Sequence, residues 1–369
     1  MNTRRVVFRA DASLQIGSGH VMRCLTLASA LKAEGADCHF VCREHTGHLL
    51  DLIRSKGFNS HSLDASASSR LQNQAGARLD YDDWLGATQA QDSERCSDIL
   101  ALLEPDWLVV DHYALDAEWE SAVRKNCSRL LVIDDLANRM HECDILLDQN
   151  LGRTNSEYTG LVNPSCDLLT GTQYALLRPE FANLRKSSLI RRSTPRLQHI
   201  LITMGGVDQF NATTAVLESL RSCTLSPDCF ISVIMGSNAP FLADVIGTAK
   251  QMPWPTKVFS NVTDMGERMA AADLVIGAAG STSWERCCLG VPTIVVVLAD
   301  NQRSGAYAMK QSGCAELIDH ANRIPDSLPS AIMSLSVNGA LKKMSEQASR
   351  VVDGLGVQRV ANKMSFNDE

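Results

Sequence analysis

Short, nearly unbroken apolar runs recur along the first half of the chain, separated by stretches whose apolar positions return every three or four residues. The run within RRVVFRAD (4–11) reads as a buried strand, and HVMRCLTLASALKAEG (20–35) as an amphipathic helix stopped by Gly35. ADCHFVCRE (36–44) is the next strand, and TGHLLDLIRSKG (46–57) the next helix, again ending on a glycine. Further strands are expected in PDWLVVDHY (105–113) and SRLLVIDDLA (128–137), with a helix in LDAEWESAVRKNC between them. Strands apolar on both faces and separated by helices specify a parallel sheet covered on both sides.

Two changes in composition interrupt this pattern. ASASSRLQNQAGARL (65–79) is small and polar, and reads as a mobile surface loop. RPEFANLRKSSLIRRSTPRL (178–197) is basic with two prolines, and reads as an interdomain linker. Beyond it the alternation restarts, with strands expected in 198–208, 229–236, 256–262, 272–281 and 291–300 and a helix over 211–220. The expected organisation is a Rossmann-like domain over 1–177, the linker, a second Rossmann-like domain over 198–340, and a C-terminal helix and tail over 341–369. Two doubly wound α/β domains of this kind are expected to face each other across a cleft, with ligands at the carboxyl ends of the strands.

Composition narrows the partners. A net charge of −7 argues against a nucleic-acid or anionic-membrane surface, while leaving room for a phosphorylated small molecule held by local donors. The first residues carry two arginines without a following apolar segment, and the longest apolar runs, such as TIVVVLA (293–299), are too short to span a bilayer. The 12 cysteines show no C-x-x-C pair and no framework spacing, so they read as reduced, mostly buried thiols. A cytoplasmic, monomeric protein acting on a small molecule is expected.

Three stretches suggest chemistry. In IGSGH, Gly17, Ser18 and Gly19 lead from a strand region into a helix, which suits an anion. Met22 stands where the dinucleotide fingerprint needs its third glycine, so NAD or FAD is not expected. His20 at that helix start would be held neutral, as a general base requires. The residues alone leave capping, packing and catalysis open. In GAAGSTSWERCCLGVP (277–292) a strand passes through a loop of small residues, Gly280 to Ser283 with Ser281 and Thr282, into a helix. That loop suits a diphosphate, and Glu285 is placed either to accept from two ribose hydroxyls or to favour the helix start. In MGGVDQFNAT, Gly205 and Gly206 border a phosphate or form a tight turn, with Asp208 and Asn211 as helix caps. Asp111, His112 and Tyr113 end one strand, and Asn301 and Gln302 follow another. Asp134 and Asp135 are adjacent on extended backbone, so their side chains diverge, against a shared-proton pair. No metal-ligand pattern, P-loop or nucleophile elbow is present, so neither metal nor cofactor is expected.

Taken together, FRADASLQIGSGHVMRCLTLA, VVDHYALD, VIDDLANRMHECDILLDQN, YALLRPEF, MGGVDQFN and GSTSWERCCLGVPTIVV resemble the PseG family. Its members hydrolyse UDP-2,4-diacetamido-2,4,6-trideoxy-β-L-altropyranose in pseudaminic acid biosynthesis, which serves flagellin glycosylation, and it is similar to MurG-type glycosyltransferases of the GT-B arrangement. The resemblance implies inverting, metal-independent attack of water at the anomeric carbon with release of UDP. It implies that His20 is the general base and that Tyr113 lies near the sugar or the water. The loop Ser281, Thr282 and Ser283 would meet phosphate, Glu285 the ribose, and Asn301 the substrate. Ala279 and Asp300 stand where the family often has glycine and glutamate.

Overall fold

The computed structural model describes residues 4–65 and 81–364. All of the expected surface loop except residue 65 therefore lies outside the described residues. The chain forms two compact units, Met1–Leu176 with Gly356–Glu369, and Leu177–Leu355.

The first unit contains β1 (Arg5–Ala10), α1 (Gly19–Ala33), β2 (Asp37–Arg43), α2 (Leu50–Ser55), β3 (Asn59–Leu63), α3 (Gln89–Leu103), β4 (Trp107–Asp111), α4 (Ala117–Val123), β5 (Arg129–Ile133), β6 (Ile145–Asp148) and β7 (Asp167–Thr170). Its sheet runs β3-β2-β1-β4-β5-β6-β7, with every pair parallel. Alternate strand residues enter two apolar cores. One holds Phe8 stacked on Phe40 at 4.9 Å, and the other holds the fully buried Trp119. Burying one such side chain contributes roughly 1.5–3 kcal/mol.

The second unit contains α5 (Pro179–Arg191), β8 (His199–Thr203), α6 (Ala212–Leu220), β9 (Phe230–Met235), α7 (Leu242–Ala249), β10 (Thr256–Ser260), α8 (Met265–Ala271), β11 (Leu274–Ala278), α9 (Thr282–Cys288), β12 (Thr293–Val296), α10 (Arg303–Gln311), β13 (Glu316–Ile318), α11 (Ile324–Leu335) and α12 (Ala340–Val351). Its parallel sheet runs β10-β9-β8-β11-β12-β13. In both sheets the strand order reverses beside the first strand, between β1 and β4 and between β8 and β11. Doubly wound sheets hold ligands at such switch points, outside the carboxyl ends of the strands.

Residues 178–197 are not an extended linker. Pro179, in the first turn where its missing N–H costs nothing, starts the helix α5. The basic character has a local use: the buried guanidinium of Arg192 donates to the carbonyls of Met269, Ala270 and Ala272 at the end of α8. At the other end of the chain, α12 lies in the second unit. The last helix, α13 (Gly356–Met364), inserts Val357, Val360, Ala361 and Met364 into the first unit's core. Its Gly356 is forced, since a Cβ there would lie 2.4 Å from the Ala175 carbonyl oxygen. Among the described residues no helix is long and apolar enough to cross a membrane.

Candidate active site

At the switch point of the first unit, Gly17 takes a left-handed conformation (φ +80°) and turns the chain from the β1 loop into α1. Exposed Ser18 occupies the N-cap without a side-chain capping bond, and Gly19 opens the helix. His20 follows with 7% of its surface exposed. It does not cap: its Nδ1 has no hydrogen-bond partner among the described residues and lies 3.9 Å from Asp111 Oδ1, at the end of β4. Arg23, one turn further along α1, holds Asp111 through Nε (2.6 Å) and Nη2 (2.7 Å) and reaches Asp135 through Nη1 (2.7 Å). Burial pulls the His20 imidazole below its usual 6.5, against the opposing pull of the Asp111 carboxylate. The ring is therefore neutral near pH 7.

Tyr113 meets His20 with its ring, edge-on at 4.6 Å, while its hydroxyl donates to Asp135 Oδ2 at 2.7 Å. The phenol is thus committed to Asp135, and burial holds it protonated. Tyr81 and Trp84 complete an aromatic wall, 5.2 and 5.7 Å from the Tyr113 ring. Trp84 lies 6.3 Å from the His20 ring. Asp134 and Asp135 do diverge. Asp134 turns inward to Arg139 (2.8 Å) and the Tyr158 hydroxyl (3.0 Å), and Asp135 turns to Arg23 and Tyr113.

His112 is an interior residue. Its Nδ1 accepts from the Ala114 N–H, its Nε2 lies 3.4 Å from Asp11 Oδ2, and burial pushes it down to about 3. Asp11 belongs to a buried lattice in which Arg9 pairs with Asp11 (2.6 Å) and Asp92 (2.8 Å), and Arg43 with Asp92 (2.7 Å). Charges this deep are tolerable because each is paired and hydrogen-bonded.

In the second unit, Gly205 (φ +91°) and Gly206 form an exposed turn after β8. The Gly206 carbonyl accepts from the Gly236 N–H, and a Cβ on Gly236 would sit 2.1 Å from that oxygen. Asp208 caps α6, accepting from Ala212 and Thr213 N–H at 2.9 Å each, whereas Asn211 makes no side-chain cap bond. After β11, the hydroxyls of Ser281 and Thr282 make no hydrogen bond among the described residues, and Gly280 leaves open space where a Cβ would stand. Ser283 differs from its neighbours: it is buried and its Oγ accepts from Arg286 at 2.7 Å. Glu285 is largely buried, with 14% of its side chain exposed, and its Oε1 lies 3.4 Å from Arg178 Nη2. That same nitrogen stands 3.2 Å from Glu180 Oε1. Burial raises Glu285 to about 7, against the stabilising charge of Arg178. After β12, Gln302 Oε1 accepts from the Leu298 N–H, while Asn301 is half-buried in the same short turn.

Two groups are therefore assembled, each at the switch point of its own sheet. His20 and Tyr113 belong to one; the Gly205–Gly206 turn and the Gly280–Glu285 loop belong to the other. The sequence pattern singled out Asp111 and Asp135 only as strand-end carboxylates without a role, and did not single out Arg23, Tyr81, Trp84 or Arg178. The helical spacing of His20 and Arg23, three residues apart on one face, was the available signal for Arg23. Among the described residues no group of three His, Cys, Asp or Glu is placed to hold a metal ion.

Residues 199–360 match the glycosyltransferase family 28 C-terminal domain. The chain is 25% identical to the UDP-2,4-diacetamido-2,4,6-trideoxy-beta-L-altropyranose hydrolase of Campylobacter jejuni over 309 residues, 84% of this chain and 97% of that one. It is 24% identical over 304 residues to an uncharacterized protein of Methanocaldococcus jannaschii, matching 81% of this chain but only 57% of the longer archaeal one. The crystal structure of Acinetobacter baumannii MurG superposes with a TM-score of 0.70 at 16% identity, covering 98% of this chain and 99% of that one. The chain is thus an α/β protein of the GT-B glycosyltransferase fold, similar over residues 199–360 to the glycosyltransferase family 28 C-terminal domain and along most of its length to the Campylobacter hydrolase.

Proposed function

We propose that the protein hydrolyses a UDP-linked diacetamido-trideoxy sugar, UDP-2,4-diacetamido-2,4,6-trideoxy-β-L-altropyranose, to the free sugar and UDP, as a step in pseudaminic acid biosynthesis. The observation that carries this reading is His20: a neutral imidazole, unpartnered at Nδ1, at the start of α1 and backed by the Asp111 carboxylate at 3.9 Å. Similarity to the Campylobacter hydrolase over nearly that protein's whole length supports the choice of substrate.

In this reaction a water oxygen attacks the anomeric carbon. The bond from that carbon to the diphosphate oxygen breaks, with its electron pair leaving on UDP. His20 Nε2 takes the water proton, and Asp111 stabilises the imidazolium that forms. UDP leaves readily at neutral pH, so no general acid is required. Attack opposite the diphosphate inverts the anomeric centre. On the second unit, Gly205, Gly206, Gly280, Ser281 and Thr282 border the diphosphate, Glu285 accepts from the ribose hydroxyls, and Asn301 and Gln302 contact the substrate. Gly17, Ser18 and Gly19 let the substrate approach His20. Tyr113 contributes the face of its ring, since its hydroxyl is engaged by Asp135. Water is the nucleophile and no step calls for a metal, so the rate is expected to survive EDTA.

A second reading, transfer of a UDP-sugar to an acceptor, is favoured by the glycosyltransferase family 28 match. One experiment separates the two. A panel of UDP-acetamido sugars is incubated without acceptor and followed by NMR. Hydrolysis predicts prompt UDP release and a product first seen in the inverted anomeric form. Release only on addition of an acceptor overturns the hydrolase reading.

A further inference from the structure

Arg286 is a buried second-unit charge that the reading above does not use. It is fully buried on α9, and its guanidinium lies beneath the segment 277–283. Nη2 donates to the Ala278 carbonyl (2.8 Å) and to Ser283 Oγ (2.7 Å), whereas Nε and Nη1 have no partner among the described residues. Gly277 makes room for it, since a Cβ there would lie 2.3 Å from Nη1. Its ionisable neighbours are Glu285, which is held by Arg178, and the hydrogen-bonded thiols of Cys287 and Cys314. Burial lowers Arg286 only to about 10, so it stays charged at neutral pH. The contrast with the other unit is instructive: there Arg9, Arg23 and Arg43 are equally deep, and each is matched to a carboxylate.

A buried cation without a counter-ion costs several kcal/mol. Arg286 is thus held at a cost in the free protein, and an anion above it would offset that cost. Its hydrogen bond to Ser283 also has a direction. Because the guanidinium occupies a lone pair of Oγ, the Ser283 hydroxyl proton is left to point elsewhere.

We propose that Arg286 is a positioning residue for an anionic ligand, supplying the positive charge beneath the Gly280–Ser283 loop and fixing Ser283 so that the loop receives a nucleoside diphosphate. This rests on the reading of the second unit as the nucleotide-binding one. It adds a residue whose burial puts it beyond direct contact with substrate.

The test compares wild type with Arg286→Met and Arg286→Lys. It measures thermal melting without ligand and affinity for UDP by calorimetry and for uridine by NMR titration. Arg286→Met is expected to melt no lower than wild type. Its UDP affinity should fall about 10- to 100-fold, the range for losing a charge-assisted interaction, with uridine affinity unchanged. Arg286→Lys, which keeps the charge, should retain most of the affinity for UDP. A Met variant that unfolds or melts well below wild type makes Arg286 a structural residue and overturns the proposal. Equal losses for UDP and uridine, or unchanged UDP affinity, overturn it as well. Wild type that binds UDP no better than uridine refutes the nucleotide-binding reading itself, which is a different failure.

Discussion

Replacing Asp111 with Asn removes the charge behind His20 while nearly preserving shape. The carboxylate oxygen lies 3.9 Å from His20 Nδ1. At an effective dielectric near 20, a full charge at about 4 Å stabilises an imidazolium by ~4 kcal/mol. Arg23, within 2.6–2.7 Å of the same carboxylate, cancels much of that. We take about 1.4–2.8 kcal/mol as the net effect on the transition state, a ten- to hundredfold loss in kcat. KM for the UDP-sugar and affinity for UDP should be unchanged. The pH profile supplies a second readout. His20 is already held below 6.5 by burial, so activity is present above its depressed value and lost as pH falls through it. Asp111 raises that value, so in Asp111→Asn the acid limb of kcat/KM moves to lower pH. Steady-state UDP release from pH 4.5 to 8 measures both, with circular dichroism to confirm folding, since Arg23 loses its strongest partner. A folded Asp111→Asn variant with wild-type kcat and an unmoved acid limb would refute this coupling.

Two further outcomes follow from the same geometry. Glu285→Gln should weaken UDP about tenfold, as expected for a charge-assisted hydrogen bond, and leave 2′,3′-dideoxyuridine diphosphate unaffected. Because Glu285 is raised to about 7, wild-type preference for UDP over the dideoxy analogue should fall as pH drops through that value; a flat ratio contradicts the ribose assignment. His112, held neutral down to about 3, resists the proton that the unfolded chain takes up below 6.5. Its contribution to stability is whole above 6.5 and lost as pH falls, by at most ~1.4 kcal/mol per pH unit. Chemical denaturation between pH 6.5 and 5 should show a shallower decline in His112→Asn than in wild type, and parallel declines would be evidence that His112 titrates freely.

Much of the architecture was legible because central strands of a parallel sheet are buried on both faces and must be apolar, as VVFRA and WLVVD are. Edge strands escape that demand: β3 is NSHSL, and β13 spans only three residues. Helix α3 was hidden by its polar surface, although Thr88 and Gln91 form a reciprocal cap at its start, a pattern present in the sequence. The basic stretch 178–197 reads as an interdomain linker because a sequence cannot show that Arg192 would find three helix-end carbonyls from a segment some eighty residues away. Within the site, Gly17 and Gly205 answer a local demand, a turn with positive φ, and His20 stood out by its place at the start of a helix after two glycines. Tyr113, by contrast, gave no hint that its hydroxyl would be taken by Asp135. Arg23, Asp111, Tyr81 and Trp84 come together only through the fold, and Ser283 was indistinguishable from its neighbours until its partner Arg286 was seen beneath it.

The central claim is that one imidazole removes the proton of the attacking water. His20→Ala tests it most directly, by parallel measurement of UDP release from the diacetamido sugar nucleotide and of UDP affinity. The account predicts turnover reduced about 10²–10⁴-fold, the usual contribution of a general base, with UDP bound as tightly as by wild type. Turnover close to wild type in that variant would contradict it.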